Sequence, residues 1–109
     1  PTRDALVGAA GALLDAGVRE GVFVSLGGEG LLAVTRDGVS AACAPPVEVV
    51  STIGAGDSAV AGIALCLAQG GDIATAAKHG AAAGAAACIT PGTTLCLRED
   101  VESLLAAMG

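Results

Sequence analysis

Leu6, Ala9, Ala10, Leu13 and Leu14 fall at i, i+3, i+4, i+7 and i+8. That is the spacing of one helix face, and it predicts an amphipathic helix over residues 2–16. Thr2 is placed to cap it, Asp4 lies in its first turn, and Gly17 suits the position just past its end. The period then changes. Val22-Phe23-Val24 is a short run without polar alternation, which suits a strand buried on both faces, as in a parallel sheet between helices. Gly27-Gly28-Glu29-Gly30 interrupts it, residues 31–35 resume the extended pattern, and Asp37-Gly38 predicts a hairpin turn into 39–42. Pro45-Pro46 excludes helix and begins an extended approach to 47–50.

The second half reads as helices. Gly54-Ala55-Gly56-Asp57 opens a helical stretch that ends near Gln69, with Gly70-Gly71 as its stop. Asp72 is placed to cap the next helix, which runs to about Cys88. Ala76, Gly80 and Gly84 recur on it every four residues, a small-residue face that admits another backbone or a flat ligand. Thr90-Pro91-Gly92-Thr93 reads as a turn, and residues 98–108 as a terminal helix. A helix, then strands, then helices is the order expected at the end of an α/β domain.

Composition sharpens this. The chain has 109 residues, 53% of them hydrophobic, with 17 glycines and Phe23 as its single aromatic. One domain is expected, with a core of Ala, Val, Leu and Ile in which helices lie close on a sheet. A net charge of −6 with five Lys and Arg residues argues against a nucleic-acid surface. The mean hydropathy of +0.74 raises the question of a membrane span. The apolar runs do not support one: one stops at Asp72 and the other contains Pro91. No secretory signal is visible, so a soluble cytoplasmic protein is expected. Cys43, Cys66, Cys88 and Cys96 lack zinc spacing and read as reduced, buried thiols. No metal ligands are predicted.

Two loops carry candidate chemistry. In Ser51-Thr52-Ile53-Gly54-Ala55-Gly56-Asp57-Ser58, two glycines expose backbone N–H groups at a helix N-terminus, where the macrodipole favours an anion. Asp57 would repel a static phosphate there. It suits a general base that takes a proton from an acceptor hydroxyl during phosphoryl transfer, or else it simply complements the helix dipole. Gly54-x-Gly56-x-x-Ala59 also matches a loose dinucleotide fingerprint, but an acid inside the loop is awkward for pyrophosphate. Ser25-Leu26-Gly27-Gly28-Glu29-Gly30 follows a buried strand, a place where open α/β sheets bind ligands; taken alone it is equally an ordinary glycine turn. His79 reads as a packing or edge residue on its helix.

SLGGEG, PPVEVVSTIGAGDSAVAG and GAAAGAAACITPGTTLC, in this order, resemble the PfkB branch of the ribokinase-like carbohydrate kinases. The GTTLC tail looks most like the PfkB-type 6-phosphofructokinases, with 1-phosphofructokinases and tagatose-6-phosphate kinases close by. The resemblance implies the C-terminal part of a ribokinase-like three-layer α/β/α fold with a mostly parallel sheet. It implies Asp57 as catalytic base and Gly54, Ala55 and Gly56 as the anion hole. Ser25, Gly27 and Gly30 match the nucleotide loop, Thr52 a phosphate contact, and Gly80 and Gly84 the wall beside adenine. ATP and Mg2+ follow from the same comparison, with fructose 6-phosphate as the first expected acceptor. Some relatives carry an aspartate at the position of Ser51 in a monovalent-cation site; serine departs from that pattern. The sugar pocket, lid and upstream acidic motif of such kinases precede these segments. The chain therefore reads as the C-terminal third, inactive alone and inclined to self-associate or to pair with the rest of the kinase. A non-catalytic nucleotide-binding or assembly module is the other reading.

Overall fold

The computed structural model describes residues 2–91 and 96–108. They form α1 (Arg3–Asp15), β1 (Val22–Ser25), a 3-10 turn (Gly27–Glu29), β2 (Leu31–Thr35), β3 (Gly38–Ala42), α2 (Ala55–Ala68), α3 (Ile73–Cys88) and α4 (Arg98–Met108). The helix boundaries follow local chemistry. Thr2 Oγ1 accepts from the Ala5 N–H at 3.1 Å and Asp72 Oδ1 from the Thr75 N–H at 2.7 Å, each starting its helix as expected. Gly17 and Gly70 take positive φ just past the ends of α1 and α2. Gly92 and Thr93 of the expected turn lie outside the described residues, as does most of the GTTLC tail.

The described strands form one sheet in the order β1-β2-β3, and both pairings are antiparallel. The expected mostly parallel sheet is thus not what these strands make. The reason is local: a loop of a few residues can only fold a strand back on its neighbour, whereas a parallel partner needs a crossover of a dozen or more. Nor is Val22-Phe23-Val24 the strand enclosed on both faces; those residues are half-buried, and β2 takes that place.

The sheet lies between two helical layers. Val22, Val24 and Val34 face α1 through Ala10 and Leu14. Phe23, Leu31, Ala33 and Ala42 face α3 through Ala77 and Ala81, with Ile63, Ile73 and Met108 closing that side. Alternation along β2 sends successive side chains to opposite layers, so residues 31–34 are all buried. Arg36 at the hairpin ties the sheet to α1, its guanidinium donating to the carbonyls of Leu14 at 2.8 Å and Arg19 at 3.0 Å. The expected extended segment at 47–50 forms no ladder. Instead the N–H groups of Val50 and Ser51 both donate to the Cys88 carbonyl, at 2.7 and 3.0 Å, and pin that segment to the end of α3. Of the thiols only Cys66 is buried; Cys43, just beyond the outer strand β3, is exposed, and Cys88 and Cys96 are intermediate. Among the described residues, no helix is long and apolar enough to cross a membrane.

Candidate active site

A cleft of about 400 Å³ opens where the loop after β1, the segment after β3 and the start of α2 converge on α3. It brings together Ser25, Gly27, Gly30, Thr52, Ala55, Gly56, Gly80 and Gly84, eight of the residues singled out from the sequence. Gly54 and Asp57 do not line it. Gly54 stands at the N-cap of α2, and Asp57 follows Gly56 on an exposed part of the first turn.

The two glycines of Gly54-Ala55-Gly56 have different jobs. Gly54 is left-handed, φ +79°, the conformation that turns the chain into α2 and favours glycine. Gly56 is helical, and a Cβ there would meet nothing within 4 Å. Gly54 also offers no capping side chain. The Ala55 N–H donates to the Thr52 carbonyl at 3.3 Å, while the Gly56 and Asp57 N–H groups remain among the orphan donors that a helix leaves at its start. An unspent pair of donors beside a cleft, reinforced by the helix dipole, is what an oxyanion requires.

Other glycines turn out to serve packing. At Gly30, φ +107°, a Cβ would lie 2.7 Å from the Ala44 N and still closer to the Ala42 carbonyl, so the close approach of β2 to the segment after β3 requires glycine. At Gly80 a Cβ would lie 2.6 Å from Leu31 Cδ1 and 2.7 Å from Ile63 Cγ1, which lets α3 settle onto β2 and α2. At Gly84 a Cβ would lie 3.4 Å from the Ala55 carbonyl oxygen, a looser fit at the cleft itself. The small-residue face thus admits a neighbouring backbone and borders the cleft as well.

Sequence reasoning did not find the wall formed by Ala44, Pro45, Pro46, Val47 and Val49. The proline pair was the available signal, because it bars both helix and an interior strand. Nor did it find Ser58, only 3% exposed, whose hydroxyl has no hydrogen-bond partner among the described residues. Among the described residues no group of three His, Cys, Asp or Glu side chains is arranged to hold a metal.

The sequence pattern of the pfkB family carbohydrate kinases matches residues 1–100. The chain belongs to the pfkB family of carbohydrate kinases. It is 45% identical to the ATP-dependent 6-phosphofructokinase isozyme 2 of Mycobacterium tuberculosis over 94 residues, covering 86% of this chain and 28% of that protein. It is 34% identical over 94 residues to the 1-phosphofructokinase of Borreliella burgdorferi, covering 85% of this chain and 30% of that one. The crystal structure of phosphofructokinase-2 from Escherichia coli in complex with potassium superposes with a TM-score of 0.92 at 35% identity, over 99% of this chain and 35% of that one. The fold is therefore the ribokinase-like α/β fold, and this pfkB chain spans about a third of the length of the relatives it matches.

Proposed function

We propose that this chain is the nucleotide-binding and catalytic-base portion of a kinase that transfers the γ-phosphoryl group of ATP to a sugar-phosphate hydroxyl. The single observation that carries the reading is the uncapped start of α2 at the cleft. Its open N–H donors suit phosphoryl oxygens, and Asp57, an exposed carboxylate in the first turn, stands one residue past Gly56. In this reading Asp57 takes the proton of the acceptor hydroxyl as its oxygen attacks the γ-phosphorus. The Gly56 and Asp57 N–H groups stabilise the charge that gathers on the transferring oxygens. Ser25, Thr52 and the glycines of the β1 loop hold the nucleotide, with its base against Gly80 and Gly84.

The residues fit a nucleotide, since the cleft has the size of a small-molecule site. They offer no metal cage of their own, so Mg2+ belongs with the triphosphate, as is usual for an ion that keeps its waters and substrate phosphates. Its chemistry is to neutralise charge on the phosphates. Fructose 6-phosphate is the first acceptor to try, given the 45% identity to a 6-phosphofructokinase. Fructose 1-phosphate is the second, given the 1-phosphofructokinase relative. We further propose that the 109 residues alone turn over neither, because phosphoryl transfer is chiefly positioning and no described element holds an acceptor in line.

The deciding experiment is Asp57→Asn in this segment completed with the upstream two thirds of a pfkB kinase. ATP affinity should stay within a few-fold, while kcat falls by on the order of 10²–10⁴, the usual contribution of a general base. A variant that keeps a third or more of its kcat removes Asp57 from that role.

A further inference from the structure

Residues 43–54 carry the proline wall of the cleft to the start of α2 without belonging to a strand or a helix. Irregular backbone of this kind has no ladder to hold it, so its place depends on individual hydrogen bonds. Several of them gather at Ser51. Its N–H donates to the Cys88 carbonyl at 3.0 Å, beside the Val50 N–H at 2.7 Å, and fastens the segment to the end of α3. Its hydroxyl accepts the Ile53 N–H at 3.2 Å, a side-chain bond to backbone two residues on that holds the chain in a turn.

Thr52 stands between these two anchored residues. It lines the cleft, and its carbonyl accepts the N–H of Ala55, the first residue of α2, at 3.3 Å. The place of Thr52 at the cleft and the entry into α2 are thus set by one turn. Ser51 itself is half-buried and stands behind the cleft wall rather than in it. We infer that Ser51 is a positioning residue of the nucleotide site, acting through Thr52 by holding the turn that presents Thr52 to the phosphates. This rests on the nucleotide reading above and adds to it a residue that touches no ligand.

The experiment is calorimetric titration of the 109-residue chain with the magnesium complex of ATP, run as a double-mutant cycle. The four chains are the parent, Ser51→Ala, Thr52→Val and the double variant, with Ser51→Thr as a fifth; circular dichroism checks that each is folded. Ser51→Ala should weaken ATP binding by about three- to tenfold, the effect of one ordinary hydrogen bond. Thr52→Val should weaken it by at least as much. The double variant should bind within about twofold of Thr52→Val, because a residue that acts through another has nothing to add once that other is gone. Ser51→Thr, which keeps the hydroxyl, should bind as the parent does. Losses that simply multiply in the double variant, an unchanged affinity in either single variant, or a Ser51→Thr chain no better than Ser51→Ala would overturn the inference and leave the nucleotide site standing. A Ser51→Ala chain that does not fold would make Ser51 a folding residue and overturn it equally. If the parent binds no ATP at millimolar concentration, the nucleotide reading itself fails and takes the inference with it.

Discussion

Helices α2 and α3 lie side by side with nearly the same apolar composition, yet they begin and end up differently. At the start of α3 the Asp72 carboxylate occupies the Thr75 N–H, so that terminus is closed by the chain itself. At the start of α2 stands Gly54, with no side chain to offer, and the donors stay open toward the cleft. Burial separates them too. Nine of the sixteen residues of α3 are buried, against three of fourteen in α2. The outward side of α2 carries Val60, 66% exposed, and Leu65, 57% exposed, with Ala61, Ala64 and Ala68 between and beyond them. A helix apolar all round belongs in an interior. The comparison teaches that α3 is the finished spine of this segment, whereas α2 is finished only on the side that touches it.

The first way to break that contrast is at the contact between them. A Cβ at Gly62 would stand 2.8 Å from the His79 carbonyl oxygen, which is backbone, and 3.0 Å from Ala83 Cβ, which is fixed to it, so neither can swing aside. Gly62→Val should therefore push α2 off α3 and destabilise by about 1–3 kcal/mol, the usual cost of overpacking. Urea unfolding measures this, and an unchanged midpoint would mean that the two helices do not depend on close approach.

Next in size is the open helix start. A Cβ at Gly56 would meet nothing within 4 Å, and its backbone is helical, so Gly56→Val should hardly move stability. The added isopropyl group would intrude on the cleft, which Gly56 lines, and should weaken ATP binding by about tenfold, roughly 1.4 kcal/mol. Calorimetric titration beside a melting curve separates the two effects. A variant that melts early but binds ATP normally would make Gly56 a packing residue.

What could be read in advance divides along the same line. The helix starts, the helix stops and the hairpin were legible because each depends on residues a few positions apart: Thr2 and Ala5, Asp72 and Thr75, Asp37-Gly38 before β3. The antiparallel pairing of β1 with β2 was not, since Val22-Phe23-Val24 looks the same whichever neighbour it finds, and burial on both faces went to β2 instead. The cleft was legible by its loops but not by its proline wall, which takes its place only when Val50 and Ser51 reach the Cys88 carbonyl. Gly30 and Gly80 were noticed for the right loop and helix, while the tight contacts there, backbone of Ala42 and Ala44 at the first and side chains of Leu31 and Ile63 at the second, come from other elements. Cys43 reads as buried from its apolar neighbours, but the outer strand it follows leaves it in solvent.

A smaller effect is expected on the outward side of α2. Leu65→Glu replaces an exposed apolar side chain, so the stability of the dilute chain should stay within about 0.5 kcal/mol of the parent. The parent should self-associate through this side at higher concentration, and the variant should not. Analytical ultracentrifugation across a concentration series reads both chains. Equal association would place the contact elsewhere, and a large loss of stability in the dilute variant would mean that α2 is already covered.

The smallest effect sharpens the contrast at the helix starts. Hydrogen bonds from the Thr75 side chain and backbone hold the Asp72 carboxyl below its ordinary value of 3.8. A group whose pKa is lower in the folded chain adds stability that is fully present above the unfolded value and is lost as the pH falls through the folded one. The contribution of Asp72 should therefore be whole above about pH 5 and fade below 3.8. Asp72→Asn keeps a side-chain oxygen for the Thr75 N–H but cannot titrate. Urea midpoints measured from pH 5 down to the acid limit of folding should converge for the two proteins as the pH drops, the parent losing its advantage. Exposure of the carboxylate to solvent keeps the difference small. Gly54 offers no counterpart, since the N-cap residue of α2 has no side chain to titrate. Midpoints that stay parallel across the acid range would mean that α3 is held by its buried faces alone and that its closed terminus contributes nothing measurable.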